Sequence, residues 1–509
     1  MIAVSEAWKN IQTRFLLPES FIEISCGLSD VGVQDLLTVT GDNEAVFSNA
    51  QGVAAGASNS AAPKYATFEH NLWALDGSRN VIPDEAPYNN VGYVSSDSSK
   101  ASITMALPEV RRVAIPGLTI TWSSEYGEYP TEFSIVAKSG DVEIASTYVT
   151  GNTTNVTDVL LDLVNYDSIT IETFGWSLPN HRARIDKVSF GHVVTFNKNE
   201  VISYSHEQHG DLNSAELPKH SINFALDNVD GRWNPTNPTG IGKYLSERQQ
   251  VQVRYGLDVD GTTEWISAGT FYLTEWRAPA NGLEASFVAR DIFEFMLNEP
   301  YTGERTGTLL QLINNAFVEA GLPENFVSVL DPSLGDYTTT IDEEQEYTLA
   351  EVVQMCANAG RCVIYLDRSG QMHIEPLNTT HCGCIIPTAL SYSHPEVELF
   401  KPLKNVAVSY GENSYVLNVG ASGETQTVDN PLVTTEERAT LIAAWVKDML
   451  CTRKTVHGEY RADPRLDLFD VISVESKYGN LSPVAITEIK YDYSGSFKAT
   501  YSGRVLPEG

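Results

Sequence analysis

The sequence lacks the long apolar segments that would cross a membrane. No run of apolar residues approaches the roughly 20 that a membrane-spanning helix needs. Residues 1–10 also lack a basic stretch followed by an apolar one, so we expect no signal peptide and a protein that folds in a cytoplasm.

Basic residues are scarce. The chain has 34 Lys and Arg against 66 Asp and Glu, a formal net charge of −32. A surface of this sign repels polyphosphate, so we expect no static grip on nucleic acid. A duct through which DNA slides without sticking is compatible with this charge, and so is a charge that serves solubility alone.

Cysteine is rare as well, and its spacing does not indicate a disulfide framework. The six cysteines include one His-Cys-Gly-Cys segment at 381–384, which is half of a zinc motif without the second pair that zinc needs. The other four stand alone and are typical of small core residues: Cys26, Cys356, Cys362 and Cys451.

Two acidic turns, at 227–231 and 258–261, offer oxygen ligands close together, as calcium prefers. Neither matches an EF-hand loop, and Asx-Gly turns are common for backbone reasons alone. We therefore predict no metal and no cofactor. The acidic stretch at 342–346 is interpreted as a loop that faces solvent or a lumen.

The usual catalytic motifs are also missing. The sequence has no Gly-x-Ser-x-Gly elbow, no Walker loop, no His-Glu-x-x-His and no cysteine in a catalytic surround. We predict that the protein is not an enzyme. A hydrolase that uses an unrecognised pair of carboxylates is the weakest alternative, because carboxylates are abundant.

What the sequence does contain is aromatic residues and short alternating segments, with 8 Trp, 23 Tyr and 18 Phe. This composition favours strands. Residue 21 opens one alternating segment, and residues 40–64 are small and polar, as in a linker. Between 65 and 191 short strands follow one another without helices, which predicts a β-sandwich. Its strands are predicted at 118–122, 133–137, 168–172 and 184–190.

Residues 192–299 predict a small antiparallel barrel or sandwich. Asp260-Gly261 lies between strands at 251–255 and 264–266, and both residue types tolerate positive φ, so a hairpin is expected there. Two more strands are predicted at 269–273 and 284–289.

Residues 300–384 predict the one mixed α+β domain. A helix with apolar spacing ends at Gly321, and a second begins with Thr348 and Glu351 as a capping box and ends at Gly360. A hairpin follows at 362–374. From 385 the pattern is again that of strands, with a single helix capped by Thr434 and Glu437.

Several segments in this order are similar to those of a known family. They are 221–228, 232–235, 244–245, 269–276, 429–439, 460–466 and 470–474. Together they resemble tail-tip and baseplate hub proteins of phages and prophages that infect Gram-positive bacteria, over roughly 1–45 and 192–509. The resemblance implies a homotrimer in which each subunit contributes two tube-like β-barrels to a pseudo-hexameric ring under the six-fold tail tube.

With that resemblance, the expected fold is mainly β with a smaller α+β part. The first hub barrel takes 1–45 plus 192–299, and a jelly-roll domain is inserted at 46–191. The α+β domain with helices and a hairpin takes 300–384, and the second hub barrel, with one helix, takes 385–509.

The inserted segment resembles discoidin-like, galactose-binding jelly rolls, through 73–77 and 184–188. Aromatic faces stack on sugar rings while His and Arg donate hydrogen bonds, which gives a candidate carbohydrate site at one rim. Its residues are Trp73, Tyr126, Tyr129, Trp176, His181 and Arg182. The alternative is that the two tryptophans are core residues and the others belong to turns.

The function implied is that of a structural hub in the virion tail, folded in the host cytoplasm, with a channel for DNA as passing cargo. Its expected partners are two further copies of the chain, distal tail or tail tube proteins, and a tip fibre or plug protein. The alternative is a receptor-recognition adhesin of the tail, whose jelly roll binds a host cell-wall glycan.

Overall fold

The computed structural model describes residues 1–14, 17–30, 33, 36–41, 101–123, 127–178, 183, 185–237, 240–279, 282–323 and 326–507. The chain divides into two compact units. The first comprises Met1–Ser25, Thr195–Asp230 and Gln250–Gly509, and the second comprises Cys26–Val194 and Gly231–Gln249. Within the described ranges, we find no helix with the length and apolar character needed to cross a membrane.

The secondary structure is mainly strand, which confirms the predicted fold class of a mainly β chain with a smaller α+β part. The helices are α1 (Glu6–Gln12), α2 (Leu309–Glu319), α3 (Leu349–Gly360) and α4 (Glu436–Leu450). The strands up to residue 209 are β1 (Ser20–Ser29), β2 (Thr38–Gly41), β3 (Ala101–Arg111), β4 (Ile115–Thr121), β5 (Pro130–Ser139), β6 (Val142–Thr150), β7 (Val156–Leu163), β8 (Tyr166–Trp176), β9 (Lys187–Asn197) and β10 (Val201–His209).

The later strands complete the set. They are β11 (Lys219–Asp227), β12 (Gln250–Val259), β13 (Thr262–Arg277), β14 (Glu284–Arg290), β15 (Thr306–Thr308), β16 (Val327–Leu330), β17 (Thr338–Thr340), β18 (Val363–Leu366), β19 (Gln371–Glu375), β20 (His381–Ile386), β21 (Glu396–Leu399), β22 (Leu403–Tyr410), β23 (Asn413–Asn418), β24 (Glu424–Val428), β25 (Lys454–Tyr460), β26 (Val471–Glu475), β27 (Leu481–Tyr493) and β28 (Phe497–Val505).

The second unit contains two antiparallel sheets around one core. One sheet has the order β2-β3-β8-β5-β6, and in the other β4 pairs with β7 and β9. Strands β5 and β8 bury alternate side chains over most of their length, as period-2 geometry requires. The core contains residues of both sheets, among them Trp122, Phe133, Ile171 and Phe190. Of the predicted linker at 40–64, only residues 40 and 41 are described, and they end β2.

The first unit contains a long sheet with the order β21-β25-β28-β27-β10-β11-β14-β13-β12. The hairpin between β12 and β13 turns at Asp260 and Gly261, whose φ angles are 52° and 88°, as the sequence predicts. The two strands predicted at 264–266 and 269–273 are one 16-residue strand, β13. A register shift opposite Val253 and Arg254 marks a β-bulge in β13. The bulge bends the strand and interrupts the alternation of its side chains without ending it.

An α+β part of the first unit packs α2, α3 and α4 around small sheets, β16-β19-β18 and β23-β22-β24. The capping box of Thr348 and Glu351 is present, and Gly321, with φ 56°, follows the end of α2 as predicted. Helix α3 ends at Gly360, as predicted. The left-handed residue that caps it is Arg361, and Gly360 stays small because a Cβ there would meet Leu334.

Helix α4 differs from its prediction in two respects. Its N-cap is Thr435, not Thr434, because Thr434 instead meets the hydroxyl of Tyr337 with its Oγ1 at 3.0 Å. The helix also shares a core with α2 and α3 rather than lying apart among the strands after 385, since Ile442 and Val446 belong to the same buried cluster as Leu312. This buried cluster therefore contains residues from both sides of position 384.

Candidate functional site: the polar sheet face and the network behind it

One face of the long sheet is polar on its central strands β10, β27 and β28, and it continues onto β11 and β14, where Ala225 and Val288 interrupt the polar residues. In β10, the buried side chains Tyr204, His206 and Gln208 alternate with the outward-facing Ser205 and Glu207. The alternation follows from the opposite directions of successive side chains in a strand. We call the outward side the polar face.

Neighbouring strands continue the polar face with hydroxyl, amide and charged side chains. The residues that share it are Ser203, Ser205, Glu207 and His209 of β10, Lys219, Ser221 and Asn223 of β11, Glu284, Ser286 and Arg290 of β14, Glu488, Lys490 and Asp492 of β27, Lys498, Thr500, Ser502 and Arg504 of β28, and Thr455, His457 and Glu459 of β25. Acidic and basic groups are interspersed on this face, in contrast to the strongly negative chain as a whole.

The cations at the centre of the polar face are engaged by carboxylates. Lys490 Nζ lies 2.5 Å from Glu207 Oε1 and 4.0 Å from Asp492 Oδ1. Lys498 pairs with Glu459 on the next strand. Such half-exposed ion pairs contribute little to the free energy of unfolding. They do neutralise the lysine charges to which a polyanion would otherwise bind.

The middle of the sheet joins two stretches of chain that are far apart in sequence. Strand β10 pairs antiparallel with β27, from Tyr204 opposite Tyr493 to His209 opposite Glu488. On one side of this pair lie the strands from 201–290, and on the other those from 396–505. The strands predicted for two hub barrels thus meet in one continuous sheet. We call the β10–β27 pair the sheet junction.

Behind the junction, two buried histidines contact each other. His206 Nε2 lies 2.7 Å from His220 Nε2, and His206 Nδ1 lies 2.7 Å from the hydroxyl of Tyr255. That hydroxyl is also 3.0 Å from the hydroxyl of Tyr204. Burial, and then the charge of Arg368, lowers the pKa of His220 to about 3, and burial lowers that of His206 well below its ordinary value. Both rings are neutral at neutral pH.

The turn between β18 and β19 inserts Arg368 into the same region, where it is 2% exposed. Its guanidinium donates to the carbonyl of Pro464 at 2.5 Å and to that of Leu466. The guanidinium carbon, Cζ, lies 4.9 Å from the centroid of the Tyr491 ring. Its Nε lies 3.7 Å from Oδ1 of Asp467. Arg368 therefore ties the α+β hairpin to the segment before β26 and to β27.

Gln208 completes the network by donating from Nε2 to Oδ1 of Asp467 at 2.7 Å. Burial raises the pKa of Asp467, and Arg368 and Gln208 oppose that rise. Tyr491 donates to the carbonyl of Leu466 at 2.8 Å. These contacts connect the groups into one buried joint, in which Arg368 Nε and Gln208 Oε1 have no hydrogen-bond partner.

Only two residues of the predicted carbohydrate site can be placed. Trp176 is 7% exposed in the core of the second unit, and its Nε1 donates to Glu128 at 2.7 Å. Tyr129 packs partly buried against the same core. The other four lie outside the described residues: Trp73, Tyr126, His181 and Arg182. Sugar binding at this rim stays a prediction. Trp176 lies in the core, where the alternative interpretation places it.

The side chains considered as metal ligands form hydrogen bonds with protein groups or are buried. His381 Nε2 lies 2.9 Å from Ser473 Oγ, and Cys384 is buried. Asp227 accepts from the backbone of Val229 at 3.1 Å, and Asp258 accepts from that of Gly261 at 2.8 Å, as Asx turns do. Among the residues that the structure describes, no group of three or more His, Cys, Asp or Glu could hold a metal ion.

Sequence reasoning missed the network. His206 and Gln208 occupy inward positions of β10 that an apolar alternation would reserve for hydrophobic residues, and Arg368 lies in an ordinary hairpin turn. A polar residue at every inward position between Tyr204 and Gln208 is the signal that could have indicated a buried polar cluster, because buried polar groups need partners.

No family model and no curated protein matches the chain. Solved structures similar to it include the 43 kDa tail protein of prophage MuSo2 from Shewanella oneidensis, at 12% identity over 62% of this chain and 95% of that one, with a TM-score of 0.43. A tail protein from Neisseria meningitidis MC58 is 12% identical over 62% and 93%, with a TM-score of 0.44. A prophage tail protein from Listeria monocytogenes EGD-e is 11% identical over 62% and 92%, with a TM-score of 0.41.

These structural neighbours are phage-type tail proteins, the class that the sequence resemblance names. Their TM-scores all lie below 0.5.

Proposed function

We propose that the chain is a structural hub subunit of a phage-type tail tip, which adapts a six-fold tail tube to a three-fold tip and lines a channel for DNA. The observation that carries the proposal is the sheet junction. Through the antiparallel pair of β10 and β27, one subunit presents two sequence-distant groups of strands as a single surface. Three subunits would bring six such groups to one ring.

The polar face supports the role of a channel lining. Its exposed hydroxyl and amide groups, such as those of Ser203 and Asn223, can be wetted. Its central cation, Lys490, is already engaged by Glu207 and Asp492. DNA that slides past therefore meets few free cations that could displace its counterions. The net charge of −32 makes the rest of the chain repel it. DNA is cargo in this account and not a ligand.

The buried network supports a mechanical role. A hub transmits force between the tail tube above it and a tip fibre or plug protein below it, so its strand groups must not slide against each other. Arg368 and the His206–His220 pair lock the hairpin of the α+β part, β10 and β11 behind the junction. We propose no catalytic activity, because the titratable groups of this network bind one another.

Sedimentation of the full chain, alone and with the distal tail protein from the same tail, tests the assembly. The proposal expects trimers in at least one of the two samples, and a low-resolution image of a tail that places the chain at its tip. Monomers in both samples, with no chain at the tip, would contradict it.

A further inference from the structure

The long sheet of the first unit ends at an exposed strand, β21. Among the described strands β21 pairs only with β25, and all of its residues are exposed. At the end of this pair the backbone N–H of Phe400 donates to the carbonyl of Arg453. Because such bonds alternate along an antiparallel pair, the backbone groups of Val397 and Leu399 point away from β25. They form an open edge that can accept a strand from another chain.

The side chains of β21 differ between its two faces. Glu398 lies opposite Thr455, on the polar face, whereas Val397 and Leu399 point to the other side of the sheet. Val397 is 50% exposed and Leu399 is 63% exposed, although Val456 on the neighbouring strand is 3% exposed. The apolar side of the sheet is therefore left uncovered at this edge.

A groove continues the uncovered side of β21. Its volume is about 450 Å³, and its apolar walls include Leu399, Pro483, Val505 and Leu506. A strand that is added to a sheet edge points every second side chain to the same face. In proteins that bind peptides in this way, pockets beside the edge receive such side chains, and this groove is in the position of such a pocket.

Two cations at the groove lack a carboxylate partner. Arg453 and Lys454 line it, and neither forms an ion pair with any residue that the structure describes. Arg453 Nε donates instead to the carbonyl of Phe400 at 2.7 Å. On the polar face, by contrast, Lys490 and Lys498 are each paired with a carboxylate. The groove therefore offers free positive charge on a chain of net charge −32, which favours an acidic ligand.

A second copy of β21 does not suit this edge. Two such strands side by side would bring Glu396 and Glu398 of one copy against the same residues of the other, on one face of the joined sheet. Like charges on paired strands destabilise a sheet. The carboxylates would also lie on the polar face, away from Leu399 and the groove.

We infer that the open edge of β21 binds an extended acidic segment of another protein, which adds a strand to the long sheet. Backbone groups of the segment bond to those of Val397 and Leu399, and an apolar side chain of the segment enters the groove. Carboxylates of the segment pair with Arg453 and Lys454. Such binding needs neither a channel nor a particular number of copies, so it goes beyond the proposed hub function.

The probe is an array of short synthetic peptides in which Thr alternates with Val, Leu or Ile and Asp and Glu stand at one end. A matched array carries Asn and Gln in place of the acids, and a third carries Lys. We expect the full chain to bind at least one acidic peptide, its neutral counterpart roughly tenfold more weakly, and the Lys peptides not at all.

Val397→Pro tests the added strand. Proline removes the backbone N–H that points to the open edge, and proline is tolerated on an edge strand where that group faces solvent. The variant should keep the melting temperature of the unmodified chain and bind the acidic peptide roughly tenfold more weakly.

Arg453→Gln combined with Lys454→Gln tests the charges, and it should weaken binding of the acidic peptide roughly tenfold. Lys219→Gln combined with Lys404→Gln removes the same charge from exposed positions on β11 and β22 and is the matched control. It should leave binding unchanged.

Three results would overturn the inference: no acidic peptide binds, the Lys peptides bind as tightly, or Val397→Pro binds like the unmodified chain. A fourth is a change in oligomeric state. If Val397→Pro turns trimers into monomers in sedimentation, the edge is an interface between copies of this chain, and the acidic segment is ruled out as its occupant while the hub proposal stands.

Discussion

His206 and His220 share one hydrogen bond between their Nε2 atoms, 2.7 Å apart, on adjacent strands behind the sheet junction. One ring donates and the other accepts, so the accepting Nε2 must carry no proton. A proton there would remove the acceptor, and a charge on either ring would lie in a buried site that already faces the Arg368 guanidinium. The joint is thus built for neutral and alkaline conditions.

Acid should therefore destabilise the first unit. The folded pKa values of both histidines lie below the unfolded value of about 6.5, so their contribution is complete above that pH and is lost as the pH falls below it. We expect this contribution of the histidine pair to the free energy of unfolding to drop by about 2–4 kcal/mol between pH 7.5 and pH 5. Urea denaturation at the two pH values measures it in a protein that carries Asp291→Asn, because Asp291 titrates with the opposite effect over the same range.

His220→Gln keeps a hydrogen-bonding side chain that does not titrate, and it should remove about half of that drop. His394→Gln, at an exposed position, is the control and should leave the pH dependence unchanged. An equal drop in all three proteins would show that the histidine pair does not cause it.

Removal of Arg368 should be far more costly than removal of a surface cation. Arg368→Ala removes the donor to the carbonyl of Pro464 and one of the two donors to that of Leu466, and it leaves Asp467 without its buried counter-charge. We expect a loss of about 3–5 kcal/mol in the free energy of unfolding. Lys401→Ala, which breaks the fully exposed pair with Glu424, should cost far less, because solvent screens such a pair. Similar losses in the two variants would contradict the proposed joint.

Asp291 should make the free energy of unfolding depend on pH in the opposite direction. Burial raises the pKa of this carboxyl to about 8, and its Oδ2 lacks a hydrogen-bond partner. The protonated form stabilises the fold, so this contribution is lost as the pH rises from about 4 through about 8. Asp291→Asn keeps the acceptor for the backbone of Phe293 and should gain about 1–3 kcal/mol at pH 8, with little gain at pH 5. An equal gain at both pH values would sink the assignment.

The neutralised polar face can be tested with duplex DNA. Glu207→Gln combined with Asp492→Asn frees Lys490 and should create weak, salt-dependent binding in fluorescence anisotropy at low salt, where the unmodified chain binds none. Glu343→Gln combined with Glu344→Asn removes the same charge from an exposed loop of the α+β part and serves as the control. Tight binding by the unmodified chain would refute the role of a non-adhesive lining.

Local patterns in the sequence were enough to predict much of the fold. The alternation around Phe133 and Ile171 gave strands whose inward residues are buried, and Thr348 with Glu351 marked the start of α3. Asp260-Gly261 located a hairpin because positive φ is a property of those residues themselves. Each of these signals acts within a few residues, where the chain itself sets the geometry.

Features that depend on distant partners were missed. Nothing local tells that Tyr204 lies opposite Tyr493, or that Arg368 enters a core formed by the other end of the chain. Gly360 ends α3 as predicted, but nothing local tells that its small size serves a contact with Leu334. The candidate site shares this limit, because the buried histidine pair and the polar face exist only once strands have paired.

The most direct test of the central claim is an image of the assembled particle at a resolution that separates strands. The account predicts three copies around a channel, each contributing both strand groups side by side through the β10–β27 pair, with Glu207 and Lys490 facing the lumen. A ring in which one strand group lies outside the channel wall, or in which the polar face is buried against another protein, would contradict it.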